Sequence, residues 1–160
     1  MPEGGLPVET GMSTDAPGVI ALIGQVFAEY GLIYDPSTEV PDLQDFDRHY
    51  QAPVGKFFVV RETNQIVGAV GVERVDADTA ELHRLYLDAH LRGQSTGRAL
   101  VAAVLDWCRA QGISRLILWS DTRFELAHRL YTRTGFRRAG ERSLPGDVNM
   151  TREYGFEREV

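Results

Sequence analysis

Apolar residues along this chain recur with two periods, and the switches between those periods mark out its elements. Val19, Ile20, Ile23 and Phe27 fall at helical spacing and predict a helix over Asp15–Tyr30. Asp15 or Thr14 stands where a cap belongs, Pro17 lies in the first turn, and Gly31 is placed to end the helix. Leu32–Pro41, with Pro36 and Pro41, reads as a loop, followed by a short helix around Asp42–Tyr50. The period then shortens to that of strands. Phe57–Arg61 and Gln65–Arg74 form a hairpin about Glu62-Thr63-Asn64, and Thr79–Leu87 is a third strand after the Asp76-Ala77-Asp78 turn. Helical spacing returns with Leu100, Val101, Val104, Leu105 and Cys108, predicting a helix over Thr96–Gln111 that Gly112 closes. Ile113–Trp119 is a strand, Arg123–Thr134 a helix stopped by Gly135, and Phe136–Glu141 and Met150–Glu157 are two last strands. With Leu6–Met12 as a first strand, the order is β-α-α-β-β-β-α-β-α-β-β. It predicts an α/β fold, a mixed sheet antiparallel in the middle with a right-handed crossover after the third central strand. No repeat or Pro/Gly-rich linker divides the chain, so residues 1–160 read as a single domain.

Composition narrows the class. A chain of 160 residues, 43% hydrophobic and 25% charged, can bury a core and is not disordered throughout. Its longest apolar runs, Ala99–Leu105 and Val19–Ala28 with Gly24 and Gln25 inside it, fall short of the ~20 residues that cross a bilayer. Met1-Pro2-Glu3-Gly4-Gly5 shows no basic segment leading into an apolar one, so no secretory signal is expected. Cys108, the single cysteine, can form neither an intramolecular disulfide nor a thiolate cluster. These features predict a soluble cytoplasmic protein with no membrane partner.

Charge divides the chain. Residues 1–80 hold 4 basic and 13 acidic side chains, residues 81–160 hold 13 and 10, and Leu91–Ser143 alone holds 10 and 4. An acidic half joined to a basic segment fits a site with two electrostatic characters, one for an anion and one for a cation, and fits equally two solvated faces. A net charge of −6 without a basic stripe on one element argues against nucleic acid as a partner.

The most informative stretch is Leu82–Leu100, LHRLYLDAHLRGQSTGRAL. A strand runs into a loop containing Arg92, Gly93, Gln94, Ser95, Thr96 and Gly97, and the loop opens a helix. Free N–H groups and the positive end of a helix dipole bind phosphate at such a junction, and Arg92 and Arg98 add charge. Glycine-rich turns before helices also serve packing, so the loop alone decides nothing. No Gly-Lys-Ser/Thr follows, and Gly93 with Gly97 lacks the dinucleotide spacing.

The loop resembles the pyrophosphate-binding segment of the GNAT superfamily of acyl-CoA-dependent N-acetyltransferases, Arg/Gln-x-x-Gly-x-Gly/Ala. Arg92 and Gly97 match, and Ser95 stands where the family usually has glycine. Ala127-His128-Arg129-Leu130-Tyr131 with Gly135-Phe136 is similar to the family's Ala-x-x-Leu-Tyr…Gly-Phe segment, and Ala80–Leu87 to its fourth strand. The resemblance covers Phe57 to Arg138. It implies acetyl-CoA, and no metal, in a cleft where the fourth and fifth strands splay apart. Backbone groups around Leu85, Tyr86 and Leu87 would pair with pantetheine, and the Arg92–Arg98 loop would hold the pyrophosphate. Ser95 keeps its N–H and is a good cap residue, so the loop survives if its φ is negative. Phe124 replaces the family's cofactor-facing Asn, which removes one polar contact.

Transfer by direct attack needs a proton donor for the departing thiolate and an acceptor for the amine's proton. Phe124, Ala127 and Tyr131 share a helix face, where Ala127 leaves room and Tyr131 is either the acid or a core tyrosine. Glu81 and His83 are expected on the strand face of Leu85 and Leu87. They are either the base, Glu81 first and Glu73 a weaker candidate, or solvated strand residues. Cys108 reads as core, and His49, His90 and His128 have no metal-ligand spacing. Glu29–Tyr50 would wall the acceptor site: Tyr30, Tyr34, Phe46 and Tyr50 interleave with Glu39, Asp42, Asp45 and Asp47, which suits a cation or describes an acidic helix over core aromatics. The resulting expectation is an N-acetyltransferase acting on a primary amine of a small molecule or peptide. The alternative is a non-catalytic acyl-CoA-binding or interaction module, favoured by Ser95 and Phe124 and opposed by Tyr131. A homodimer through the isolated Met150–Glu157 strand is also expected.

Overall fold

Two apolar layers, one on each face of a seven-stranded sheet, account for the hydrophobic pattern. The computed structural model describes residues 5–93 and 95–160; Gln94 and the first four residues, where most of the sequence read for a secretory signal falls, lie outside them. The strands are β1 (Val8–Thr10), β2 (Gly55–Glu62), β3 (Gln65–Arg74), β4 (Thr79–Leu87), β5 (Arg115–Asp121), β6 (Arg137–Ser143) and β7 (Arg152–Glu159), in the order β1-β2-β3-β4-β5-β7-β6. The helices are α1 (Ala16–Glu29), α2 (Pro36–Glu39), α3 (Pro41–Gln44), α4 (Phe46–His49), α5 (Thr96–Ala110) and α6 (Glu125–Arg133). On one face Leu100, Val101, Val104 and Cys108 of α5 pack against Val70, Val72, Leu82 and Leu116. On the other, Val19, Leu22, Ile23 and Phe27 of α1 join Val40, Leu43, Phe46 and Tyr50 over Phe57, Val59 and Ala69. Alternation in β2, with Val59 to one layer and Val60 to the other, is what lets one strand serve both.

The mixed α/β sheet is the predicted one, antiparallel from β1 to β4 and parallel at β4–β5, with α5 as the crossover. Among the described residues no helix is long and apolar enough to cross a membrane. Four local expectations are corrected. Asp15 does not cap α1: its carboxylate accepts from the Met12 N–H and from Arg61, 2.6 Å away, because a charged partner outcompetes a cap at that corner. Residues 32–50 hold three single helical turns, since Pro36 and Pro41 each start a new one and Asp35 caps the first. β5 begins two residues later than predicted, where its ladder with β4 begins at Thr79–Arg115. The C-terminal strand is not isolated: β7 lies between β5 and β6 and pairs with both, which removes the premise for a strand-exchanged dimer.

The feature that shapes the site is in β4. Between the pairs Ala69–Tyr86 and Gly71–His83 the strand carries an extra residue, and Arg84 takes φ +56° to accommodate it. This bulge reverses the side-chain alternation. Glu81 and His83 therefore do not share a face with Leu85 and Leu87, as strict alternation predicts. Leu85 and Leu87 pack on the α5 layer, whereas His83 reaches Tyr50 of the α1 layer.

Candidate active site

β4 pairs with β5 only from Thr79 to Glu81, after which β5 continues beside β7 alone. The strands diverge past Glu81, and a cavity opens on either side of the fork. Leu85, Tyr86, Phe124 and Ala127 line both cavities and form the seam between them.

The first cavity, a cleft of about 210 Å³, runs along the end of β4 between the α5 N-terminus and α6. Leu85, Leu87, Leu126 and Leu130 line it, with Gly93 and Gly97 at the loop. Gly93 has φ +78°, and a Cβ on Gly97 would stand 2.9 Å from Leu130, so this approach of loop to helix requires glycine. Ser95 precedes α5 with φ −77°, which serine tolerates, but its side chain makes no capping hydrogen bond. Thr96 is buried, and Arg98 is exposed and outside the cleft lining. Arg92 lines the cleft, yet its guanidinium donates to both oxygens of Glu29, at 2.7 and 2.8 Å, and to the Leu87 carbonyl at 2.9 Å. One main-chain acceptor that the resemblance assigns to pantetheine is thus taken by Arg92. Arg129 and Arg133, one turn apart on α6, also line the cleft and have no ion-pair partner among the described residues. Their i, i+4 spacing in the basic segment was the available signal, and sequence reasoning did not use it.

The second cavity is larger, about 400 Å³, and polar. At one part of its wall His83 bridges two carboxylates, Nδ1 3.5 Å from Glu73 and Nε2 3.3 Å from Glu81, and His49 Nδ1 donates to Glu73 at 3.0 Å. Tyr50 gives its proton to Asp42, so its oxygen is left to accept from His83 Nδ1 at 3.4 Å. Burial pushes the Glu81 carboxyl up, but the His83 hydrogen bond and charge, with Arg142, outweigh it and leave Glu81 below its ordinary range. The pairing with His83 thus makes Glu81 a weaker base than burial alone would make it. Asp42 is also held low: burial opposes ionisation, and the Arg84 guanidinium, 2.7 Å away, overcomes it.

Tyr131 closes the cavity at the seam. It is 4% exposed, packs edge-on to Phe136, and its hydroxyl has no hydrogen-bond partner among the described residues. Burial, and secondarily Tyr86, push the phenol above its ordinary range, so it stays protonated. The fold thus brings Glu81, His83 and Tyr131 to one cavity and Leu85, Tyr86, Leu87, Arg92, Gly93, Gly97, Phe124 and Ala127 to the other or to the seam. Of the predicted aromatic wall, Phe46 and Tyr50 are core and Tyr34 donates to the Ile20 carbonyl, while Glu39 and Asp42 do face the cavity. Trp119, Arg142, Asp147 and Glu153 complete it from β5, β6, the β6–β7 connection and β7, a convergence of distant segments that carries no sequence signal. Cys108 is buried in the α5 layer, with its thiol pushed up to about 11 by burial. Among the described residues no group of three or more His, Cys, Asp or Glu side chains is arranged to hold a metal ion.

Residues 24–136 match the acetyltransferase (GNAT) family. The N-acetylaspartate synthetase of Danio rerio is 36% identical over 116 residues, covering 69% of this chain and 40% of that one. The uncharacterized N-acetyltransferase YjgM of Escherichia coli is 29% identical, with 76% of each chain covered, and human N-acetyltransferase 8 is 34% identical, with 68% and 50% covered. The match therefore spans half or less of two of these three relatives. A GNAT-family acetyltransferase from Staphylococcus aureus Mu50 superposes with TM-score 0.83 at 22% identity, covering 97% of this chain and 99% of that one. A Salmonella typhimurium acetyltransferase solved with acetyl-CoA superposes with TM-score 0.76 at 15% identity, covering 98% and 94%.

Proposed function

The chain belongs to the GNAT acetyltransferase family, and on that premise we propose that it transfers the acetyl group of acetyl-CoA to a primary amine by direct attack. The observation that carries this reading is the seam: two cavities meet at Phe124 and Ala127 beside an unpartnered, buried Tyr131 hydroxyl. The residues fit acetyl-CoA. The β4 edge at Leu85 and Tyr86 suits pantetheine, the α5 N-terminus with Gly93 and Gly97 suits a pyrophosphate, and Arg129 and Arg133, without an ion-pair partner among the described residues, supply positive charge for phosphates. In this reading the amine loses its proton toward the His83–Glu81 contact and attacks the thioester carbon. Collapse of the adduct breaks the C–S bond, and Tyr131 donates its proton to the leaving sulfur. Burial keeps the proton on the phenol while making it a weaker acid, so the role rests on its position at the seam. We place the reaction in the cytoplasm, where a lone buried thiol such as Cys108 needs no oxidising partner.

A non-catalytic acyl-CoA-binding module is the second reading, favoured by the Arg92 side chain being bound to Glu29 and Leu87. Thiol release separates the two. Purified protein with acetyl-CoA and a panel of cationic, neutral and anionic amines should release CoA thiol at a rate that depends on the amine. Binding of CoA with no amine-dependent release would select the second reading.

A further inference from the structure

The second cavity holds more negative charge than proton removal requires. Seven carboxylates line it against two arginines, and both arginines are already paired, Arg84 with Asp42 and Arg142 with Glu153. The excess is concentrated at Glu39 and Asp147. The Glu39 carboxylate has no hydrogen-bond or ion-pair partner among the described residues, although it is half-buried and shares its surroundings with Asp147, Glu153 and Asp121. Asp147 uses one oxygen, Oδ2, for the Asn149 and Thr151 N–H groups and the Thr151 hydroxyl, which leaves Oδ1 unused. Burial raises Glu39 most; the Arg84 charge opposes that, and Asp147, Glu153 and Asp121 add to it, so that Glu39 stays raised although an arginine is near. A second observation points to a ligand in the same cavity: Tyr131, 4% exposed, lines it at the seam, and its hydroxyl has no hydrogen-bond partner among the described residues.

We infer that the acceptor amine carries a second cationic centre, as in a short diamine or polyamine, and that Glu39 and Asp147 hold that centre while the other amine reaches the seam at Tyr131. This rests on the acetyl-transfer reading above and adds the substrate class to it. A free α-carboxylate on the acceptor would find no unpaired arginine in the cavity lining. Aspartate, named in one relative's product, would bring two carboxylates into this acidic surrounding. The cavity is also bridged: Asn149 donates to the Ile33 carbonyl at 2.8 Å and accepts from the Ile33 N–H at 2.9 Å, which ties the connection bearing Asp147 to the segment leading to Glu39. The bridge favours a small, flexible chain of methylenes and ammonium groups over a folded partner.

The test compares 1,4-diaminobutane, spermidine, n-butylamine and aspartate as acceptors, by acetyl-CoA-dependent thiol release from the purified protein. The diamine and spermidine should exceed n-butylamine in kcat/KM by about tenfold or more, the size of one charge-assisted contact, and aspartate should be the poorest. Glu39→Gln removes a charge that has no hydrogen-bond or ion-pair partner among the described residues, and the diamine-to-monoamine ratio should fall toward unity. Asp147→Asn, which keeps an oxygen for the Thr151 contacts, should lower the ratio in the same direction. The advantage should also shrink as salt rises. If monoamines or aspartate are acetylated as well as the diamine, or the ratio survives Glu39→Gln, the inference is overturned and the transferase reading stands. If no amine stimulates release, both fail.

Discussion

The cleft beside α5 and the cavity beneath α2 touch at Phe124 and Ala127, but they are built from opposite materials. The cleft is made of leucines, two glycines and arginines, of which Arg129 and Arg133 are unpaired among the described residues. In the cavity the arginines are paired and carboxylates are left over, Glu39 above all. The unpaired charges are thus sorted, positive to one side of the fork in the sheet and negative to the other. A polyanionic donor and a cationic acceptor would be drawn to different mouths and meet only at the seam. The difference shows that the division of charge along the sequence carries into the fold as the position of a few unpaired groups rather than as an amount. Most charged residues of both halves are spent on one another.

Perturbing the seam should have the largest effect. Tyr131→Phe keeps the ring against Phe136 and removes only the hydroxyl, so kcat should fall roughly 10²-fold with CoA affinity held. A loss of CoA affinity at constant kcat, measured by steady-state kinetics and calorimetry, would make Tyr131 a positioning residue. Next comes the acidic wall. Asp42→Asn leaves the Arg84 guanidinium short of its carboxylate and should cost about 2 kcal/mol in urea unfolding at pH 7. Because the folded-state value of Asp42 is lowered from 3.8, its contribution is complete above that value and is lost as pH falls through the lower one. The gap between wild type and Asp42→Asn should therefore be constant from pH 7 to pH 5 and narrow only under stronger acid; a gap that closes by pH 5 would contradict the pairing. On the basic side, Arg129→Glu with Arg133→Glu should weaken CoA binding about tenfold, less at high salt, with diamine KM unchanged. An equal rise in both would mean the two regions are not separate.

Glu29→Gln should have the smallest effect. It frees Arg92 and removes a carboxylate from the mouth of the basic cleft, so CoA should bind two- to threefold tighter, roughly, by calorimetry. Unchanged or weaker binding would identify Arg92 as a strap between α1 and β4.

Legibility in the sequence followed the range of the interactions. α5, β3 and β4 were legible because each has a local period, and β3 and β4 have the predicted limits. The glycine loop and the α6 face were legible because their residues are near in sequence and their resemblance is local. The bulge at Arg84 was not, since an arginine at positive φ gives no signal as glycine would, and missing it put Glu81 and His83 on the wrong face. Nor was the loss of the expected cap at Asp15, whose carboxylate is taken by Arg61, 46 residues away. The acidic cavity was half legible. Glu39 and Asp42 lie in an acidic run, but Asp147 and Glu153 arrive through the insertion of β7 between β5 and β6, which no local pattern encodes.

A crystal structure with acetyl-CoA tests the division of the two regions most directly. The account predicts pantetheine along Leu85–Leu87, the pyrophosphate at the α5 N-terminus between Gly93 and Gly97, and the phosphates within reach of Arg129 and Arg133. It predicts the thioester sulfur within hydrogen-bonding distance of the Tyr131 hydroxyl, with the acetyl group facing the acidic cavity. Acetyl-CoA lying in the carboxylate-lined cavity, or its sulfur turned away from Tyr131, would contradict the account.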